Sequence, residues 1–436
     1  MKRVVKPVVL FILAAVIVIP AVVIGIEIAH ESAGAQPSVP VANVSEQIAR
    51  GSYLARAGNC MACHTARGGK EYAGGRNIAT PFGNIFSPNV TPDAETGIGK
   101  WTSDDFWRAI HNGKSRDGSF LYPAFPYTNY TKVTRADSDA MFAYFKTLTP
   151  VTQPNKEHEL RFPYNQRMLL GVWRALYFRP GEFRPEPGNS VEWNRGAYLV
   201  QGLGHCSACH TSRNALGASD VKAELAGGMI PMLNWYASPL TSDAQAGLGE
   251  WEIAHIADLL KTGVSERGVA SGPMAEVVSE SLQYLTDGDV SAMAIYLKSL
   301  PQAHALSKLQ STGMSAQLPG AEAEAVLKLG ANLYEKHCVE CHQADGEGKP
   351  LAYPSLSGNR SHDANSTINA IRMVLNGGFP PSTGGNPRPF GMPPFGPELN
   401  DREVAAVVSY INNSWGNRAG TVSPSEVGRY RGVPVE

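Results

Sequence analysis

The chain has 436 residues, length for about three domains at the usual ~150 residues each. Apolar residues make up 43% and charged residues 18%, which excludes a chain too polar to build a core. Lysine plus arginine (38) nearly cancels aspartate plus glutamate (39), which excludes the basic footprint of a nucleic-acid binder and a global field that steers charged partners.

The N-terminus departs from that balance. Lys2, Arg3 and Lys6 precede a charge-free run from Val8 to Ile26, which as a helix spans about 28 Å, the thickness of a bilayer's hydrocarbon core. Positive charge ahead of such a run holds the N-terminus in the cytoplasm and sends the remainder across the membrane. A cleaved signal is the rival reading, because Ala33–Ala35 reads "AGA", a small-residue cleavage site. The run is longer than the ~7–15 residues of a signal core, so residues 1–35 read as a retained membrane anchor. Either way the body of the protein is exported.

Past this segment the chain repeats itself. A first domain over 45–150 begins with "GSYLARAGN" (51–59) and "CMACH", passes through "SPNVTPDAETGIGKW" (87–101) into a helix ending at Gly113, and closes with "TRADSDAMFAYFKTL" (134–148). Residues 151–190 form a connecting segment, Pro-rich at both ends, around the apolar helix "NQRMLLGVWRALYF" (165–178). Burial between the first two domains is the expected fate of such a helix. A second domain over 191–300 repeats the order with "GAYLVQGLGH", "CSACH", "SPLTSDAQAGLGEW", a helix ending at Gly263, and "TDGDVSAMAIYLKSL". Residues 301–322 read as a linker. A third domain over 323–420 carries "GANLYEKH", "CVECH" and the closing "NDREVAAVVSYINNSW", followed by a tail, 421–436. Apolar residues recur at three and four positions throughout, and no long alternating strand pattern occurs. The fold class is therefore all-α, with three consecutive domains.

All six cysteines fall into three identical frames, Cys60-x-x-Cys63-His64, Cys206-x-x-Cys209-His210 and Cys338-x-x-Cys341-His342. A disulfide framework leaves the three histidines unexplained and belongs to short secreted chains. A zinc site needs four ligands, whereas each frame crowds three into five residues. A redox dithiol belongs in a βαβ pattern, which does not surround these frames. Haem c accounts for every residue: two thiols on one helical turn add to the haem's vinyl groups, and the next residue brings an imidazole under the iron. Three frames predict three covalently bound haems c.

A sixth ligand is usually methionine, though most methionines only fill cores. Met392, in the Gly/Pro-rich "RPFGMPPFG", and Met274, in the matching loop "GVASGPMAEV", are the distal candidates. The first domain's loop, "DGSFLYPAFPYTNY", has Phe125 where methionine would stand. Met141 aligns with Met293 as a core position, and Met61 lies on the proximal side. His111 aligns with Lys261 at a helix end, where solvation accounts for it. Met168, in the segment after the domain, is the remaining outside candidate.

The three frames together with "WNRGAYLVQGLGHCSACHTSRNALGA" (193–218), "LYPAFPY", "FGMPPFG" and the terminal "SWGN" resemble the tri-haem cytochrome c subunits of membrane-bound periplasmic dehydrogenases. The resemblance covers residues 45–430. It implies class I cytochrome c-like domains, with Cys60, Cys63, Cys206, Cys209, Cys338 and Cys341 attaching the haems. His64, His210 and His342 are then the proximal ligands, and Met274 and Met392 the distal ones. It implies a catalytic partner of quinoprotein, flavoprotein or molybdenum type, oxidising alcohols, sugars, gluconate or aldehydes. Electrons would pass to ubiquinone or a terminal oxidase at the periplasmic face of the cytoplasmic membrane. Family members often read "YPAMPY" where this chain has "YPAFPY". The sequence offers no Gly-rich nucleotide loop or nucleophile elbow, so electron transfer is the leading reading and catalysis would rest with the partner. The alternative is a peroxidase-like haem enzyme using an open iron in the first domain. A gas sensor would need an output domain, which the sequence lacks.

Overall fold

The computed structural model describes residues 43–302 except 245, then 320–359 and 367–433, with isolated positions between 22 and 29. The apolar run 8–26 and the linker 301–322 therefore lie mostly outside the described residues. Among the described residues no helix is long and apolar enough to cross a membrane. The chain divides into two compact bodies, one of residues 1–55 and 63–185, the other of 56–62 and 186–436.

Helix α1 (Val44–Ala57), most of it in the first body, leads into α2 (Cys60–His64). A short hairpin of β1 (Asn77–Thr80) and β2 (Gly83–Phe86) follows, and then α3 (Ser103–Asn112). Thr102 and Asp105 cap the start of α3 reciprocally, and Gly113 ends it at φ 61°, a conformation that disfavours any residue with a Cβ. After the single turn α4 (Tyr127–Tyr130), Thr134 caps α5 (Arg135–Phe145). Helices α1 and α5 cross at Gly51, where a Cβ would collide with the Ala140 carbonyl. Arg50 beside the crossing pairs with Asp137 on the first turn of α5 at 2.6 Å.

The body ends in β3 (Glu159–Leu160), which extends the hairpin, and α6 (Leu169–Tyr177). The expected burial of this apolar helix holds for one face only. Gly171 and Arg174 are buried, whereas Met168, Leu169, Val172 and Leu176 are exposed. Arg174 replaces an apolar contact as the anchor: it donates to the Asn112 carbonyl at 2.6 Å and lies 4.8–5.4 Å from the rings of Phe120, Tyr127 and Phe178.

The second body repeats the plan twice. Helix α7 (Val191–Tyr198) crosses α11 (Asp287–Ser299) at Gly196, which sits against the Ala292 carbonyl, and Arg195 pairs with Asp289 through two bonds of 2.7 Å. Between them lie α8 (Ser207–His210), the pair β4 (Gly228–Ile230) and β5 (Trp235–Ala237), α9 (Ile253–Thr262), the pair β6 (Val264–Ser265) and β7 (Gly268–Val269), and α10 (Pro273–Glu280). In the last third, α12 (Gly320–His337) crosses α15 (Asp401–Asn412) at Gly330, against the Ala406 carbonyl, with α13 (Val339–His342) and α14 (Thr367–Asn376) between. Leu333, Tyr334, Ile371, Val404, Val408 and Val427 centre the core there.

The 421–436 segment differs from the expected tail. It forms α16 (Pro424–Arg431), capped by Ser423, with Val427 fully buried and Arg431 bonded to Asp401, Gly396 and Leu399. Within this body the last two repeats are joined: the Asn369 side chain bonds both the N–H and the C=O of Tyr236, at 2.9 and 2.8 Å, and Thr383 donates to the Thr262 carbonyl at 3.0 Å. The short strands are additions to the all-α reading. At two to four residues each they are too brief for an alternating pattern to register in sequence.

His111 is a correction. It is 3% exposed, not solvated, and stacks on Trp107 with ring centroids 4.3 Å apart. Burial pushes its pKa down to about 4. The folded chain therefore holds it neutral, and the unfolded chain takes up a proton between pH 6.5 and 4. Stability should fall by about 3 kcal/mol across that window and level off below it, a decline that His111→Gln removes in urea titrations at pH 7, 5 and 4. At the helix crossing, Gly196→Ala should cost about 2–3 kcal/mol by forcing backbones apart. Gly181→Ala, where a Cβ meets nothing within 4 Å, should stay within about 0.5 kcal/mol in the same denaturation assay.

Candidate haem-attachment sites

Each Cys-x-x-Cys-His frame winds into one helical turn. His210 and His342 donate their N–H to the carbonyls of Cys206 and Cys338, both at 2.9 Å, and the first frame lies wholly within α2. Cysteines three apart on such a turn face the same side, with the imidazole one position on. Cys60 stands nine positions after Gly51, Cys206 ten after Gly196, and Cys338 eight after Gly330. The extra residue in the second repeat is absorbed by a π turn over Leu199–Leu203.

The histidines are oriented alike. Nδ1 of His64 lies 2.8 Å from the Pro88 carbonyl oxygen, that of His210 lies 2.7 Å from Ser238 O, and that of His342 lies 3.0 Å from Pro354 O. A carbonyl oxygen only accepts, so Nδ1 carries the proton in each ring and Nε2 offers its lone pair. Burial also holds His64 and His342 below the ordinary imidazole range, and so neutral at pH 7. A haem iron needs this tautomer, with the second ring nitrogen fixed by a backbone acceptor.

The thiols fit as well. None of the six cysteines is in a disulfide. Burial pushes Cys206 up to about 12 and Cys338 up to about 11, which keeps both as thiols. Among the described residues no three His, Cys, Asp or Glu side chains gather as ligands for a metal ion. Paired thiols, one neutral imidazole and no surrounding acidic ligands match a covalent haem.

The loops that carry Phe125 and Met274 in the first two repeats share one backbone device. Leu121 N–H donates to Gly113 O and Ala270 N–H to Gly263 O, both at 2.8 Å, so each loop returns to the glycine that ends the preceding helix. Phe125 and Met274 each stand four residues beyond that bond, which makes them equivalent. Met274 is the second residue of α10, behind Gly272 at φ 54°. Met392 bonds Gly378 through both its N–H (2.8 Å) and its C=O (3.0 Å), and packs partly buried against the core. Met168 is 88% exposed and Met141 is 1% exposed in the core, so neither stands in the Phe125 loop. Phe125 itself meets Tyr130, centroids 5.2 Å apart.

Sequence reasoning missed the three carbonyl acceptors, although the Ser-Pro pairs at Ser87-Pro88 and Ser238-Pro239 mark two of them. It also missed His158, whose ring lies 5.3 Å from that of Tyr122 and whose Nδ1 accepts from Phe86 N–H at 3.3 Å. Only the fold brings these together across 36 residues, and no motif announces them.

Comparison with known proteins agrees with this chemistry. The cytochrome c family model matches residues 48–149 and 327–415. The cytochrome c subunit of a quinone-type alcohol dehydrogenase from Komagataeibacter europaeus is 38% identical, over 90% of this chain and 86% of its own length. The gluconate 2-dehydrogenase cytochrome c subunit of Pantoea cypripedii is 39% identical, over 88% and 89%. The fructose dehydrogenase cytochrome subunit of Gluconobacter japonicus is 38% identical, over 91% and 85%. With thiols, histidines and relatives in agreement, the chain belongs to the cytochrome c family, among the cytochrome c subunits of dehydrogenases.

Proposed function

We propose that the chain carries three haems c in three consecutive class I cytochrome c-like domains and relays electrons from a catalytic dehydrogenase subunit to ubiquinone or a terminal oxidase. The observation that carries this reading is the threefold recurrence of one arrangement: two thiols on a turn, then an imidazole whose Nδ1 is held by a carbonyl. Cys60 and Cys63, Cys206 and Cys209, and Cys338 and Cys341 attach the haems, and His64, His210 and His342 present Nε2 to the irons. Bound haem supplies one-electron chemistry; the chain supplies position, ligands and dryness. The relatives' names point to a donor subunit that oxidises an alcohol, a sugar or gluconate. The Val8–Ile26 run would anchor the chain with its haem domains on the periplasmic face. Nothing in the comparisons favours a peroxidase-like use of the first haem.

The mass of the intact mature protein tests the count: it should exceed the polypeptide mass by three haems. Two or fewer would overturn the three-haem reading, and a chain beginning at Gln36 would replace the anchor with a cleaved signal.

Met274 and Met392 are proposed as distal ligands of the second and third haems. A thioether favours ferrous iron, so Met274→Leu and Met392→Leu should each lower one potential and remove the weak red-edge band of ferric iron ligated by methionine. A phenyl ring has no lone pair for iron, so the first haem should have the lowest potential, and Phe125→Met should raise it. Spectroelectrochemical titration reads all three changes. Unchanged titrations in the methionine variants would refute the ligand assignment.

A further inference from the structure

The exposed face of α6 has no role in the reading above. Residues 161–181 read "RFPYNQRMLLGVWRALYFRPG", with arginine at 161, 167, 174 and 179 and no aspartate or glutamate. Leu169, Val172 and Leu176 recur at helical spacing and form one exposed stripe. The preceding turn adds Phe162, 79% exposed, and Met168, 88% exposed. An apolar stripe of this kind on a folded surface marks an interaction site.

The helix cannot roll to hide it. On the opposite face Arg174 is fully buried, bonded to Asn112 O and enclosed by the rings of Phe120, Tyr127 and Phe178. Arg161, Arg167 and Arg179 are exposed and donate to backbone carbonyls, of Pro81, Phe120, and Ala175 with Phe178, and Arg167 also lies 5.2 Å from the centroid of the Tyr122 ring. No carboxylate lies within ion-pair distance of them among the described residues, although the Arg167 charge helps hold the Asp117 carboxyl below its ordinary range. An apolar stripe rimmed by cations, with Trp173 and Tyr177 on the same short helix, is the pattern of a helix lying in the headgroup layer of an anionic membrane. The position agrees: Val23, a described residue of the apolar N-terminal run, has its Cγ1 3.0 Å from where a Cβ on Gly171 of α6 would lie.

We propose that α6 and the turn before it form a peripheral contact with the anionic phospholipid surface, seating the first repeat on the bilayer beside the N-terminal anchor. The contact rests on the membrane reading of the preceding section, and the test separates the two. The full-length haem-loaded chain is reconstituted in vesicles of phosphatidylglycerol and phosphatidylcholine. Nitroxides are placed through Met168→Cys, Leu176→Cys and, as an aqueous control in the same body, Lys70→Cys; collision with oxygen is compared with collision with a water-soluble nickel complex. Labels at 168 and 176 should show an oxygen-to-nickel ratio several-fold above that at 70. That ratio should fall in vesicles of phosphatidylcholine alone, and Arg161→Gln and Arg179→Gln should each weaken insertion about fivefold. If the protein floats with the vesicles but positions 168 and 176 behave like 70, the α6 contact is overturned and the anchor stands. Labels shielded from both reagents would mean burial against protein, a second copy of the chain, and overturn the proposal. A chain that does not float overturns both readings.

Discussion

The close crossing of the first and last helix of each repeat sets the geometry on which everything else depends. At Gly51, Gly196 and Gly330 the helix backbone lies directly on a carbonyl of the closing helix, Ala140, Ala292 or Ala406. No side chain larger than hydrogen fits there, so the interaxial distance is fixed by backbone contact instead of by packing that could adjust. In the first two repeats an arginine beside the glycine pairs with the third residue of the closing helix, which also sets rotation about the contact. With both helices placed, the turn of cysteines that follows the first helix has a defined start. The loops that carry the distal candidates end where the closing helix begins.

From that frame the orientation of the three histidines follows. One carbonyl in each repeat, from Pro88, Ser238 or Pro354, takes the Nδ1 proton and decides which ring nitrogen is left as a donor to metal. The acceptors lie 24, 28 and 12 residues beyond their histidines, so very different loops deliver the same bond. What the fold conserves between repeats is a hydrogen bond and a backbone crossing, and the intervening lengths vary around them.

This explains which parts of the protein were readable beforehand. The Cys-x-x-Cys-His frames, the capped helices and their terminal glycines are local: residues within one turn determine them, and composition and period reveal them. The equivalence of Phe125 and Met274 was also legible from the repeats, and the matching bonds to Gly113 and Gly263 supply its geometric reason. His111 was misread because helix-end position was taken to mean solvent, whereas its neighbours Trp107 and Ile110 bring it into the core. The half-exposed α6 was misread because apolar content does not say which face meets protein. The buried Arg174 that orients it depends on Phe120 and Tyr127, more than forty residues earlier. The tail was misread because "SPSEVGRYRG" is polar, and its burial hangs mainly on Val427 and on Arg431 reaching back to Asp401.

The junction between the second and third repeats has a consequence for how the molecule survives damage. Asn369 reads the Tyr236 backbone with both ends of its amide, as a neighbouring strand would, and Thr383 holds the Thr262 carbonyl nearby. Because these bonds join surfaces distant in sequence, peptide continuity through 301–322 is not what keeps the two repeats together. A protease cut in that segment would leave a nicked protein that still migrates as one particle, and its halves would part only under denaturant.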